Sequence, residues 1–360
     1  KKLAKKYKND KNVQITIIDK NTYHTMLTEL HEVACERVPE DAIRIPLEKV
    51  FYGREIRLVH DNIKDIDFNG KTLQGVKETY KYDYLVLATG SKPTFFGTPG
   101  AEENGFTLWS FEDAVKIKHQ IHNMFEKASN ELDPAERRKQ LSFVVIGGGF
   151  TGIEMIGELA EHRDRLCRTY GIDPKDVRLV VADMMPKILP IFDDKVINKA
   201  VRYLNKMNVE QVLNAKIVGI TPDSVELDGH EPIQTYTAIW AAGIEGSDIM
   251  DEIDGIEKLA RNRIQTDANL RSVTHPDVFV AGDNLFYVPE GEERPVPQMV
   301  ENAEHSAKTV YNNIVNSIDG KELEEYKPAF HGAMVCIGGR YGVAQLNTKT
   351  KKFHLSGFFA

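Results

Sequence analysis

Cysteine is scarce: Cys35, Cys167 and Cys336 are the only three in 360 residues, far apart and with no CxxC or CxxxxC pair. Such a set builds neither a disulfide framework nor a dithiol redox centre, and it fits a reducing cytosol. An excess of basic charge is also lacking. The formal net charge of −8 argues against a nucleic-acid binder, whose footprint is basic. The local cluster KKLAKKYKNDK reads as a solvated helix face. No apolar run reaches the roughly 18 residues of a membrane-spanning helix, although hydrophobicity is rising at the final HLSGFFA. What remains is an ordinary globular composition, long enough for two or three domains with real cores.

The most informative stretch present is VVIGGGFTGIE, Val144 to Glu154. A β-branched apolar strand runs into Gly147-x-Gly149-x-x-Gly152 and then into a helical pattern, the order of a dinucleotide-binding unit. Gly147 allows the tight turn, Gly149 lets backbone approach a pyrophosphate, and Gly152 lets the helix pack close to the sheet. The next strand, RLVVA, ends in Asp183, an acid placed where an adenosine ribose offers its hydroxyls. The interval exceeds the usual ~20 residues because the helix runs on through EHRDRLCRTYGIDPKD.

A second, broken copy of this logic opens the chain. VQITII, Val13 to Ile18, is an apolar strand ending in Asp19, and Lys1 to Lys8 reads as the tail of a helix. The glycine turn and first strand of that copy are absent, so the sequence is expected to lack its native N-terminus.

Strand patterns follow at Ile56 to Val59, Ile63 to Phe68 and Thr72 to Val76, with a hairpin turn at Asn69-Gly70. YLVL, Tyr84 to Leu87, is a buried parallel-type strand entering Ala88-Thr89-Gly90. Phe111 to Ala128 has helical spacing, with Ala114, Ile117, Ile121, Met124 and Phe125 as its packing face. Glu131 to Gln140, charged and containing Pro134, reads as a linker. The second unit then repeats the order of the first: a helix from Asp194 to Met207, a meander from Ile217 to Leu227, and AIWAAG from Ala238 to Gly243. VFVAGD, Val278 to Asp283, precedes a proline-led helix from Pro297 to Asn316. Asp283 there suits a ribityl hydroxyl, or else a cap.

The fold expected is α/β, with two Rossmann-like dinucleotide-binding domains, the second inserted into the first, and a short C-terminal segment. The boundaries read as 1–110 and 266–325 for the first dinucleotide-binding domain, 111–265 for the second, and 326–360 for the C-terminal segment.

ATG at Ala88 to Gly90, GGGFTGIE at Gly147 to Glu154, WAAGI at Trp240 to Ile244 and AGD at Ala281 to Asp283 resemble the FAD-dependent pyridine-nucleotide oxidoreductases over nearly the whole chain. DKNTYH, PEDAIRIPL, ADMMPKILP and LSGFFA narrow the resemblance to the type II NADH dehydrogenases, the single-chain NADH:quinone oxidoreductases. The resemblance implies FAD and NADH as cofactors. It implies Asp19 on the FAD adenosine ribose, Thr89 and Gly90 lining that site, and Asp283 on the ribityl chain. Gly147, Gly149, Gly152 and Asp183 are implied at NADH, with Glu154 and Gly243 near the cofactors. Glu154 reads equally as a carboxylate favoured by a helix N-terminus. Where the family carries AQxAxQ beside its quinone pocket, this chain has Glu301 and His305 in place of both glutamines.

The mechanism expected is direct hydride transfer from NADH to FAD, followed by non-electrogenic delivery of two electrons to a quinone. The helix led by Pro297 aims its amides at the flavin, and His305 is a candidate proton donor. The alternatives are a reductase of rubredoxin or ferredoxin, an NADH oxidase, and a nicotinamide-binding redox sensor resembling apoptosis-inducing factor. The location read is cytoplasmic, with peripheral attachment to the inner face of the cell membrane through a further C-terminal segment and homodimerisation both left open.

Overall fold

The computed structural model describes residues 1–348 and 350–358. Phe359 and Ala360, which close the LSGFFA motif, lie outside the described residues. The chain divides into two compact units, the first made of Lys1–His24, Ile45–Lys92 and Ile244–Phe330, the second of Thr25–Arg44, Pro93–Gly243 and His331–Ala360. Both mix helix and strand, an α/β architecture.

The second unit is built on a five-stranded parallel sheet, ordered Phe106–Thr107, Thr237–Trp240, Ser142–Ile146, Arg178–Ala182 and Val209–Val212. Every residue of the central strand Ser142–Ile146 is buried, as an apolar run covered on both faces requires. Side chains alternate between those faces. Phe143, Val145, Leu179 and Val181 enter the core formed with the helices Phe111–Asn130, Phe150–Tyr170 and Asp194–Lys206, while Val144, Ile146, Val180 and Ala182 meet the antiparallel meander starting at Ile217. The helix Phe111–Asn130 starts at a capping box in which Ser110 and Asp113 each accept the other's backbone N–H at 3.0 Å. It buries Ala114, Ile117, Ile121, Met124 and Phe125, the face its spacing predicts.

One local expectation fails in this unit. Residues 131–140 are not a linker throughout, because Pro134–Gln140 is a helix. Asp133 accepts the N–H of Ala135 at 2.9 Å, and proline occupies the first helical position, where it has no amide to lose. The C-terminal segment is a three-stranded antiparallel sheet, Gly332–Cys336, Gly342–Asn347 and Lys352–Gly357. Val335, Ile337 and Val343 join the main core of the second unit.

In the first unit parallel pairing joins Thr16–Asp19 with Arg57–His60, Leu85–Leu87 with Val278–Val280, and Arg263–Gln265 with Leu285–Phe286, in three separate sheets. An antiparallel meander, Ile63–Asp67, Thr72–Gly75 and Thr79–Lys81, and the helix Val300–Ile318 complete it. Leu85, Leu87, Phe279, Val280, Val310 and Ile314 share its core.

The units do not break at residues 110 and 265. Phe106 and Thr107 pair with Ile239 and Trp240 and so belong to the second unit. Ile264 and Gln265 pair with Leu285 and Phe286 and so belong to the first. Leu30, Val33 and Ala34 are buried in the second unit's core, which draws 25–44 into it. Among the described residues, no helix is long and apolar enough to cross a membrane.

Candidate active site

The glycine turn of the second unit sits at the carboxyl end of the central strand. Gly147 adopts φ +114, a conformation that L side chains rarely take, and its N–H donates to Ala182 O at 2.8 Å. A Cβ on Gly152 would lie 1.9 Å from Gly147 O, so only glycine lets the helix Phe150–Tyr170 start this close to the strand. A Cβ on Gly149 would meet nothing within 4 Å. That open approach, next to the unpaired amides of a helix start, fits the pyrophosphate of a dinucleotide.

Asp183 follows the neighbouring strand. Its Oδ2 accepts the N–H of Gly148 and its Oδ1 that of Met185 at 2.7 Å. The acid is thereby fixed against the glycine turn. Gly243 is packed, since a Cβ there would lie 2.6 Å from the Phe96 ring; its carbonyl accepts the N–H of Thr94 at 3.1 Å.

Glu154 stands on the first turns of the same helix, half-buried. Burial pushes its carboxyl up to about 7, the nearby Glu32 charge adds to this, and a hydrogen bond from the backbone of Cys336 opposes it. One turn on, Glu158 is buried, and Arg37 donates to both of its oxygens, from Nε at 2.8 Å and also from Nη2.

In the first unit, the register Leu87↔Val280 brings Thr89 and Gly90 beside Gly282 and Asp283 at the carboxyl ends of one strand pair. Asp283 Oδ2 accepts the Ser91 hydroxyl at 2.6 Å, and Gln298 Nε2 donates to its carbonyl at 3.0 Å. Thr89 Oγ1 accepts from Asn284 Nδ2 at 2.7 Å and lies 2.6 Å from Ser247 Oγ, so it anchors the loop. Gly90 has φ +74 with open space where a Cβ would point. Asp19 ends its own strand and accepts the N–H of Asn21 at 2.8 Å. Thr89, Gly90, Ser91 and Asp283 form a second polar cradle at strand carboxyl ends, the place where open α/β sheets hold ligands, and they fit part of a flavin dinucleotide; Asp19 ends a separate strand pair of the same unit.

The helix expected from Pro297 begins at Val300 instead, with Met299 as its cap residue in an extended conformation. Pro297 stands ahead of it, and its carbonyl accepts from Asn302 Nδ2 at 2.9 Å. Glu301 and His305 lie one turn apart on this helix, with ligating atoms within 4.8 Å of each other. Sequence reading missed Arg263, a buried guanidinium donating to the carbonyls of Leu285 and Val296. Burial lowers its pKa, and the charge of Asp283 partly restores it. An arginine in the short strand Arg263–Gln265 gave no periodic signal of burial.

Residues 2–307 match the family model described as pyridine nucleotide-disulphide oxidoreductase. The chain is 34% identical over 347 residues to the type II NADH:quinone oxidoreductase of Staphylococcus haemolyticus, covering 95% of this chain and 85% of that protein. It is 32% identical over 341 residues to that of Staphylococcus aureus, covering 93% and 83%. The chain belongs to the type II NADH:quinone oxidoreductases. Among solved structures, the NDH2 of Plasmodium falciparum in complex with NADH matches with a TM-score of 0.86 at 16% identity, over 96% of this chain and 87% of that one. The sulfide:quinone oxidoreductase of Aquifex aeolicus matches at 0.79 and 19%, over 98% and 83%. At such identities the two structures speak to the fold alone.

Proposed function

We propose a division of labour for this FAD-dependent NADH:quinone oxidoreductase in which two Rossmann-like folds each hold one cofactor, FAD on the first unit and NADH on the second. The observation that carries it is that each unit has its own polar cradle at strand carboxyl ends, each with a fixed aspartate, Asp283 in one and Asp183 in the other. The flavin supplies the redox chemistry, taking a hydride from NADH and yielding two electrons to a quinone.

The chain's own residues bind, orient and handle protons. Asp283, held by Ser91, takes a ribityl hydroxyl, Asp19 takes the adenosine ribose, and Thr89 and Gly90 line the same site. Amides at Gly149 and Gly152 receive the NADH pyrophosphate, Gly147 shapes the turn that exposes them, and Asp183 takes the ribose. Glu154, close to half-protonated at neutral pH, holds or yields a proton at its carboxyl oxygen near the nicotinamide, with Gly243 close by. Glu301 and His305 face the electron acceptor, behind the segment led by Pro297. Because long-chain quinones partition into lipid, the working location is the cytoplasmic face of the membrane, with the protein attached peripherally as a homodimer.

The test is anaerobic reduction by NADH followed by mixing with menadione. Fast flavin bleaching and fast reoxidation are expected. Slow turnover with a long-lived reduced complex would favour a redox sensor, and reoxidation only by rubredoxin or ferredoxin would move the acceptor to a small iron protein.

A further inference from the structure

Three elements of the second unit bring Glu36, His122 and His162 to one point. Glu36 lies just past the helix Leu30–Ala34 in a left-handed conformation, φ 55. His122 and His162 project from the long helices Phe111–Asn130 and Phe150–Tyr170. One ligating atom of each lies within 4.8 Å of the others. Glu36 Oε2 is 3.0 Å from His122 Nε2 and 3.7 Å from His162 Nε2. Those separations suit the edges of a coordination shell whose bonds are about 2.0–2.2 Å.

His162 is 8% exposed, and its Nε2 is buried with no hydrogen-bond partner, while Nε2 of His122 meets Glu36 Oε2. A buried polar atom left unpaired is destabilising, so a buried imidazole nitrogen aimed at a carboxylate and a second imidazole calls for a shared ligand. The other nitrogen of His122, Nδ1, is 2.8 Å from the Tyr170 hydroxyl. Outer contacts of this kind fix the ring and aim its free nitrogen at a metal.

We propose that Glu36, His122 and His162 bind a divalent cation of the zinc class, with water as the fourth ligand. Two imidazoles and a carboxylate are the donor set that zinc accepts while retaining an open position. The side chains of His122 and Glu36 are 31% and 34% exposed, which leaves water a route to that position. Arg165 donates to the same Glu36 oxygen at 2.8 Å and competes with the ion. Bound metal would clip the turn at Glu36 to both long helices, one of which starts at the glycine turn. This site is independent of the redox reading above.

The test uses flavin-loaded, chelator-treated protein, titrated with Zn²⁺ against a chromophoric chelator and with Co²⁺ followed in the visible. One equivalent should bind, and Co²⁺ should give the strong visible bands of a four-coordinate ion. Glu36→Gln and His162→Gln should each weaken binding by about a hundredfold or more, and Tyr170→Phe by about tenfold. Because His162 is buried, Glu36→Gln decides the matter if His162→Gln misfolds. Absence of stoichiometric binding, a pale six-coordinate Co²⁺ spectrum, or undiminished affinity in Glu36→Gln would overturn the proposal.

Discussion

The carboxylate of Asp183 accepts the backbone N–H of Gly148, tying the acid after one strand to the glycine turn after its neighbour. The acid is thus part of the turn's own geometry, and its charge is fixed where the outer part of a bound dinucleotide would lie.

A 2′-phosphate would meet that fixed carboxylate, and the nearby Lys187 is already paired with Asp194 at 2.7 Å. NADH should therefore exceed NADPH by about a hundredfold in kcat/KM, equivalent to about 2.8 kcal/mol. Asp183→Ala should erase most of the preference. Steady-state kinetics with both donors checks this, and equal kcat/KM in the wild type would remove Asp183 from the ribose site.

Gly149→Ala tests the pyrophosphate approach without disturbing the fold, because its Cβ would meet no protein atom within 4 Å. KM for NADH should rise by roughly tenfold or more, about 1.4 kcal/mol, with the thermal midpoint unchanged. Gly152→Ala, which drives a methyl into Gly147 O, should raise KM and lower the thermal midpoint.

Glu154 has a pKa raised from 4.5 to about 7. A carboxyl raised on folding is most stabilising below its unfolded pKa, and that advantage is lost as pH climbs from about 4.5 through 7. This group alone should withdraw about 3 kcal/mol across that window. Glu154→Gln should flatten the loss in denaturant titrations at a series of pH values, and it should remove an inflection near 7 from the rate of flavin reduction by NADH.

Arg37→Ala strips the partner from buried Glu158. Loss of about 3 kcal/mol is expected in urea unfolding, because an unpaired buried carboxylate remains. Arg37→Met combined with Glu158→Met should recover most of it. A small effect of Arg37→Ala would mean that solvent reaches Glu158.

Glu301→Gln removes a carboxylate from the first turn of the helix Val300–Ile318, where it offsets the helix's positive end. The flavin midpoint potential should rise. With His305→Gln added, NADH:menadione turnover should increase roughly two- to fivefold, in line with about 0.3–1 kcal/mol for a charge at a helix end. Unchanged values across wild type, both singles and the double would place these residues away from the flavin.

The parts of this molecule legible in its sequence are local ones. The glycine turn, the acids closing Thr16–Asp19 and Arg178–Ala182, and the buried face of Phe111–Asn130 are each set by residues within a few positions. Pro134 misled because a proline opening a helix and one breaking it differ only in the Asp133 cap. The unit boundaries escaped because they depend on distant partners: Leu30 on a core built after residue 105, Phe106 on Ile239. Glu36, His122 and His162 come from three helical regions with no ligand spacing of their own.

The pairing of Leu85–Leu87 with Val278–Val280 also bears on how the protein is made. The ribosome must deliver the whole intervening stretch before the later strand exists, which at 5–20 residues per second takes roughly 10–40 s. Until then Leu85–Leu87 has no parallel neighbour, and Ser91 has no Asp283 to meet. On the flavin site proposed above, loading is a late event of biosynthesis, and a nascent chain stalled before residue 278 would display an unsatisfied strand edge to chaperones.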